Sequence, residues 1–272
     1  MKKQSKYNVK KCIKNIIGNA CDTMDNISVS YLVYKILKNI GEEENAKKCY
    51  DKIGLLEEQG SLSDAVSAIF RENLKVGTPW VVKIVNMEFL LEHALNDRLK
   101  EQTFYLASHF SNLIKVSERV TVRHKAGRGL IEIARTLPIE QINEIVIEIT
   151  KGLEIGEYQF SKYIPEYLGE LVLYLYPGEL DEFMDNIGEL IENTNDKVGS
   201  VALDTIGEVI KKYSSYRYKN IEPKVEYESR KTKMLGMLLK GFANYHEVVS
   251  QEAVMVTGQY IFGTEELSQE EK

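Results

Sequence analysis

Proline is scarce in this chain, at 5 of 272 residues. Long helices are therefore open to it, because proline inside a helix removes a hydrogen bond and costs about 3 kcal/mol. Cysteine is scarce too. Cys12, Cys21 and Cys49 are an odd set near the start. No CxxC pair exists and no histidine follows at zinc-ligand spacing, so no metal site is indicated and three free thiols are expected. Long apolar runs are also missing. The start is lysine-rich (Lys2, Lys3, Lys6, Lys10, Lys11, Lys14) but no uninterrupted apolar stretch follows, so no signal peptide is expected. The most apolar helix, Trp80 to Leu95, is interrupted by Lys83, Asn86, Glu88, Glu92 and His93, and is too short and polar to span a bilayer. The expectation is a soluble cytoplasmic protein with no membrane contact.

Catalytic signatures are absent as well. The chain holds no G-x-S-x-G, no G-x-x-x-x-G-K-[ST], no H-E-x-x-H, no G-x-G-x-x-G and no EF-hand loop. Its four histidines, His93, His109, His124 and His246, fall in different helices or loops, and no carboxylate pair stands out as an acid/base couple. A non-enzymatic protein without a cofactor is expected. A basic balance is lacking too: the formal net charge is -6 and the pI about 5.5, which leans against general nucleic-acid binding.

What the chain does have is helical periodicity. Hydrophobic residues make up 43% and charged residues 28%, as in folded proteins, which excludes bulk disorder. Apolar positions recur three and four apart nearly everywhere, with almost no period-two alternation. Stop and start signals predict about eleven helices, among them 6–17 before Gly18-Asn19, 28–40 before Gly41, 43–59 before Gly60 and 63–74 before Gly77. Thr78-Pro79 then opens the helix that runs to Leu95, apolar on nearly every side and so expected to be covered by several neighbours.

From residue 117 a register repeats. An apolar residue is followed by another or Ala four later, a third eight later, often Gly nine later, and an apolar residue eleven later. Val122, Ala126, Leu130 and Ile133 fit it, as do Phe160, Ile164, Leu168, Gly169 and Leu171. Val198, Ala202, Ile206, Gly207 and Val209 form a third copy, and Val249, Ala253, Thr257, Gly258 and Tyr260 a weaker fourth. The starts at 122, 160, 198 and 249 are 38, 38 and 51 residues apart. Second amphipathic helices follow the first three copies, at about 139–151, 179–192 and 228–242.

In these residues the chain resembles the HEAT-repeat family. Asp196-Lys197-Val198…Ala202…Ile206-Gly207 is the nearest copy, and Arg123 after Val122 stands at the family's arginine position. Gly199 and Ser250 replace that arginine elsewhere, and Ile131 replaces the glycine, so the repeats are degenerate. The resemblance implies an all-α fold of the ARM/HEAT-like solenoid type, a right-handed α-α superhelix whose extended concave surface receives a partner. It divides the chain into a helical region 1–116 without register, a repeat region 117–264 and an acidic tail 265–272, or else one continuous solenoid. It also implies a scaffold or adaptor rather than a catalyst, by analogy of fold alone.

Three charged regions are the candidate sites. The third spacing exceeds the first two by 13 residues (51 against 38), an insertion between about 213 and 227. Insertions in repeat arrays map to loops, often on the binding face. Over 211–233, eight basic residues face three acidic ones, interleaved with tyrosines. Tyr216, Arg217, Tyr218, Lys219, Arg230 and Lys231 are the partner-binding candidates, since guanidinium pairs with anions and tyrosine supplies stacking area. The bland alternative is a solvated loop whose tyrosines cover helix ends. Before it, 163–196 carries nine acidic residues and no basic one, either a solvated face or a docking surface for a basic peptide. Arg119, Arg123, His124 and Arg128 form a candidate anion site, although Arg123 at the family position is expected to be structural.

The expected partner is a protein. The rival readings are a nucleic-acid-binding repeat protein using the two basic clusters, or the scaffolding portion of a larger enzyme. The last predicted helix, Val248 to Phe262, starts a repeat without a following partner helix, so a cap, a homo-oligomer contact or a fragment are all open.

Overall fold

A computed structural model describes residues 27–59, 77–96, 102–155, 157–193, 195–214 and 223–263. Every regular element among them is helical, so the chain is all-α. Among the described residues no helix is long and apolar enough to cross a membrane. The expected helices at 6–17 and 63–74 lie outside the described residues. The chain divides into two compact units, Met1–Leu99 and Lys100–Lys272.

The first unit contains α1 (Ile27–Asn39), α2 (Glu43–Gln59) and α3 (Trp80–Leu95). Gly41, at φ 79°, ends α1. Its N–H donates to Lys38 O at 3.1 Å and the Glu42 N–H donates to Leu37 O at 2.9 Å, the paired bonds of a Schellman stop. The tight turn folds α2 back, so that Val33 and Leu37 pack on Ala46 and Cys49. Cys49 corrects the expectation of three free thiols: it is disulfide-bonded. Sequence spacing does not reveal which cysteines approach in space, and the cysteines no longer argue for a reducing compartment. Tyr31 ties α1 to α3. Its hydroxyl donates to Glu92 Oε2 at 2.7 Å and its ring meets Phe89 edge-on at 5.3 Å. Burial and that carboxylate raise the phenol's pKa. In α3, Met87, Phe89, Leu90 and Ala94 are buried while Trp80 and Val81 at its start stay exposed.

The second unit begins with α4 (Thr103–Val116), which the sequence leaves outside the repeats but which packs on α5 (Val120–Ala134) and α6 (Ile139–Ile155). The chain continues through a short α7 (Tyr158–Ser161), α8 (Ile164–Leu171) with a 3-10 turn after it, α9 (Pro177–Ile191), α10 (Asp196–Tyr213), α11 (Lys224–Phe242) and α12 (Glu247–Gly263). The second register copy therefore starts in a broken helix. Pro165 lacks the N–H that would bond Ser161 and its ring crowds that carbonyl, so the break falls at Lys162-Tyr163. Two other helix starts follow local rules. The Asn195 side chain accepts from Lys197 N–H at 3.1 Å, and the Tyr176 N–H donates to Glu179 Oε2 at 3.1 Å ahead of Pro177.

The first helices of successive copies lie against each other: α5 on α8, α8 on α10, α10 on α12. Their small residues make this possible. A methyl on Gly127 would meet the Tyr167 ring, one on Gly169 would meet Glu208 Cβ at 2.7 Å, and one on Gly207 would meet Val256. The helix most enclosed is α10, which packs on α8, α9, α11 and α12 and buries Val201, Leu203, Ile206, Val209 and Ile210. Each such side chain contributes about 1.5–3 kcal/mol of burial.

Candidate functional site

Most of the basic cluster on α5 is engaged by the neighbouring helices α7 and α8. Arg123 is 3% exposed. Its guanidinium carbon stands 5.0 Å from the Phe160 ring centroid and 4.5 Å from that of Tyr163, and Nη1 donates to Gln159 O at 3.3 Å. Nε has no hydrogen-bond partner, and burial lowers the guanidinium pKa. Arg123 thus clamps the corner where the second copy is broken. His124 Nδ1 lies 3.1 Å from Tyr167 Oη, and Arg128 Nη2 donates to Glu166 Oε1 at 2.8 Å. Arg119 is exposed at the N-terminus of α5. Three of the four candidate anion-binding side chains therefore face α7 and α8 rather than one shared pocket.

The insertion divides. Tyr216, Arg217, Tyr218 and Lys219 lie outside the described residues. Arg230 and Lys231 lie in α11 and point inward: Arg230 Nε and Nη2 donate to the two Asp181 carboxylate oxygens at 3.0 and 3.2 Å, and Lys231 is 7% exposed with Nζ 5.8 Å from the Tyr227 ring. Tyr227 itself stacks on Tyr213 at 5.1 Å, both buried, so these two tyrosines do cover helix ends.

Those contacts split the acidic stretch on α9 into two rows. One row faces α11 and is neutralised: Asp181 by Arg230, Asp185 by Lys233 at 2.7 Å, and Glu192 by Lys240 at 3.3 Å. The other row, Glu179, Glu182 and Glu189, faces away from α11. Among the described residues none of the three has a cation within ion-pair distance. They stand instead along a groove of about 310 Å³ between α9 and α6.

The groove has a layered chemistry. Val146 from α6 and Phe183 from α9 form its buried floor, with Ile147 and Leu190 on the walls. Asn143 and Asn186 line it from opposite helices, and among the described residues neither side-chain amide makes a hydrogen bond. Thr150 is internally satisfied, its hydroxyl donating to Val146 O at 2.8 Å. Glu154 adds a fourth carboxylate to the rim, and Lys151 is the one cation in the lining, 3.8 Å from Glu148.

The sequence indicated the α9 half of this groove through its acidic run, but not the α6 half. A signal was present in Ile147. In Ile142, Ile145, Val146, Ile147 and Ile149 the apolar stripe is wider than one packed face needs, and Ile147 is 47% exposed.

A second carboxylate cluster lies between α10 and α12. Burial first, then Glu252 and Glu208, push the Asp204 carboxyl up to about 6. Burial also raises Glu252, while Glu208 is held by Lys212 at 3.2 Å. Among the described residues no group of histidines, cysteines and carboxylates could hold a metal ion. Comparison with known proteins finds no family that matches the chain and no similar curated protein.

Proposed function

We propose that this chain is a HEAT-like helical-repeat adaptor that binds a protein partner in the groove between α6 and α9. The observation that carries the reading is the groove itself: an apolar floor between two second helices, with carboxylates on its rim that no described side chain neutralises. Repeat stacking is supported by Gly169 and Gly207, which share one register position and each admit the next first helix. Among the described members of the basic clusters, Arg123, Arg128, Arg230 and Lys231 are engaged within the fold, which favours the acidic side as the docking surface.

An unbiased peptide library panned on the full chain tests this. Peptides that are enriched on the wild type are expected to lose at least about tenfold in affinity on Ile147→Arg, which places a long charged side chain over the floor. Enrichment of nothing, or of peptides indifferent to that variant, contradicts the reading.

Self-association through α12 is a second reading with its own support. Val248, Met255 and Phe262, seven residues apart, form an exposed stripe opposite the buried Val249, Val256 and Tyr260. Sedimentation of the wild type against Met255→Glu/Phe262→Glu decides it: a smaller species in the variant supports it, and identical sedimentation removes it.

A further inference from the structure

We infer that the occupant of the α6–α9 groove is an extended, lysine- or arginine-bearing peptide segment, an inference that rests on the docking role proposed above. Charge is the first ground. Among the described residues, Glu154, Glu179, Glu182 and Glu189 line the groove with Lys151 as the one cation. The fold has cations to spare for the other row of the same helix, where Arg230, Lys233 and Lys240 each reach a carboxylate. Among the described residues no cation reaches the groove-side row, which leaves it open to a charge from a partner.

Shape is the second ground. A lysine or arginine has an apolar stem and a cationic head. Here an apolar floor, Val146 and Phe183, lies beneath an acidic rim, so stem and head both find their match in one residue.

Backbone chemistry is the third, and it selects the conformation. Asn143 and Asn186 each offer a donor and an acceptor from opposite walls. A bound helix has already satisfied its own peptide groups and has no use for them. An extended segment presents alternate N–H and C=O groups that need partners.

The probe is a fluorescent twelve-residue peptide of lysine, leucine and proline, its prolines forbidding a helix. Its affinity is measured by anisotropy on the full wild-type chain and on Glu182→Gln/Glu189→Gln, two isosteric changes at exposed positions. The expected result is saturable binding that weakens with salt and falls about tenfold in the variant. Equal affinity for both proteins overturns the inference, as does tighter binding of a stapled helical peptide of the same composition. If library panning instead yields uncharged or acidic peptides that Ile147→Arg expels, the basic chemistry fails while the docking role stands. If no peptide of any kind responds to Ile147→Arg, both fail.

Discussion

Arg123 is the residue where the repeat resemblance and the chemistry meet. A buried guanidinium without a carboxylate is costly, and here two aromatic faces and one carbonyl stand in for the counter-ion. Planarity is what fits between Phe160 and Tyr163. Arg123→Lys keeps the charge but loses the stacked plane, and a loss of about 1–3 kcal/mol in unfolding free energy is expected from denaturant titration; an unchanged midpoint would show that the charge alone matters. Asp204 has the opposite sign of effect. Its folded-state pKa is raised to about 6 from an ordinary 3.8, so the protonated form is the one the fold prefers. Stability from this group is full below about pH 4 and is lost as pH rises toward 6. Asp204→Asn is therefore expected to stabilise the chain at pH 7 by ~1–2 kcal/mol, discounted for partial exposure, and to be nearly neutral at pH 4. A difference that does not change with pH would contradict this.

Among the elements, glycine position separates packing from propensity. Gly207 and Gly258 hold the same place in the repeat register, in α10 and α12. A methyl on Gly207 would run into Val256, whereas one on Gly258 meets nothing within 4 Å. Gly207→Ala is expected to destabilise by about 1–3 kcal/mol through overpacking. Gly258→Ala is expected to gain up to about 1 kcal/mol of helix propensity. Thermal unfolding of the two variants checks it, and shifts of the same sign would mean that the helices do not stack as described. The register at Ala202, Ile206 and Gly207 was legible in the sequence because short-range periodicity records which face is buried. The break at Lys162-Tyr163 was not drawn from it, since the template is met at Phe160, Ile164 and Leu168 on both sides of Pro165. The disulfide of Cys49 was equally hidden, because it depends on proximity and not on spacing.

At the scale of the molecule, charge ends up sorted by use. The basic residues legible as clusters, Arg123, Arg128, Arg230 and Lys233, are turned inward onto rings and carboxylates of adjacent helices. Counting charges along the chain could not show this, because neutralisation is a property of pairs brought together by stacking. The acidic run on α9 was legible as a candidate surface, but among the described residues its α6-facing row is the one without a counter-ion. Hydrogen exchange on the full chain with a saturating library-selected peptide tests the docking groove most directly. Slowed exchange confined to α6 (Ile139–Ile155) and α9 (Pro177–Ile191) is the predicted result. Protection centred instead on α12, or spread evenly over the unit, would contradict it.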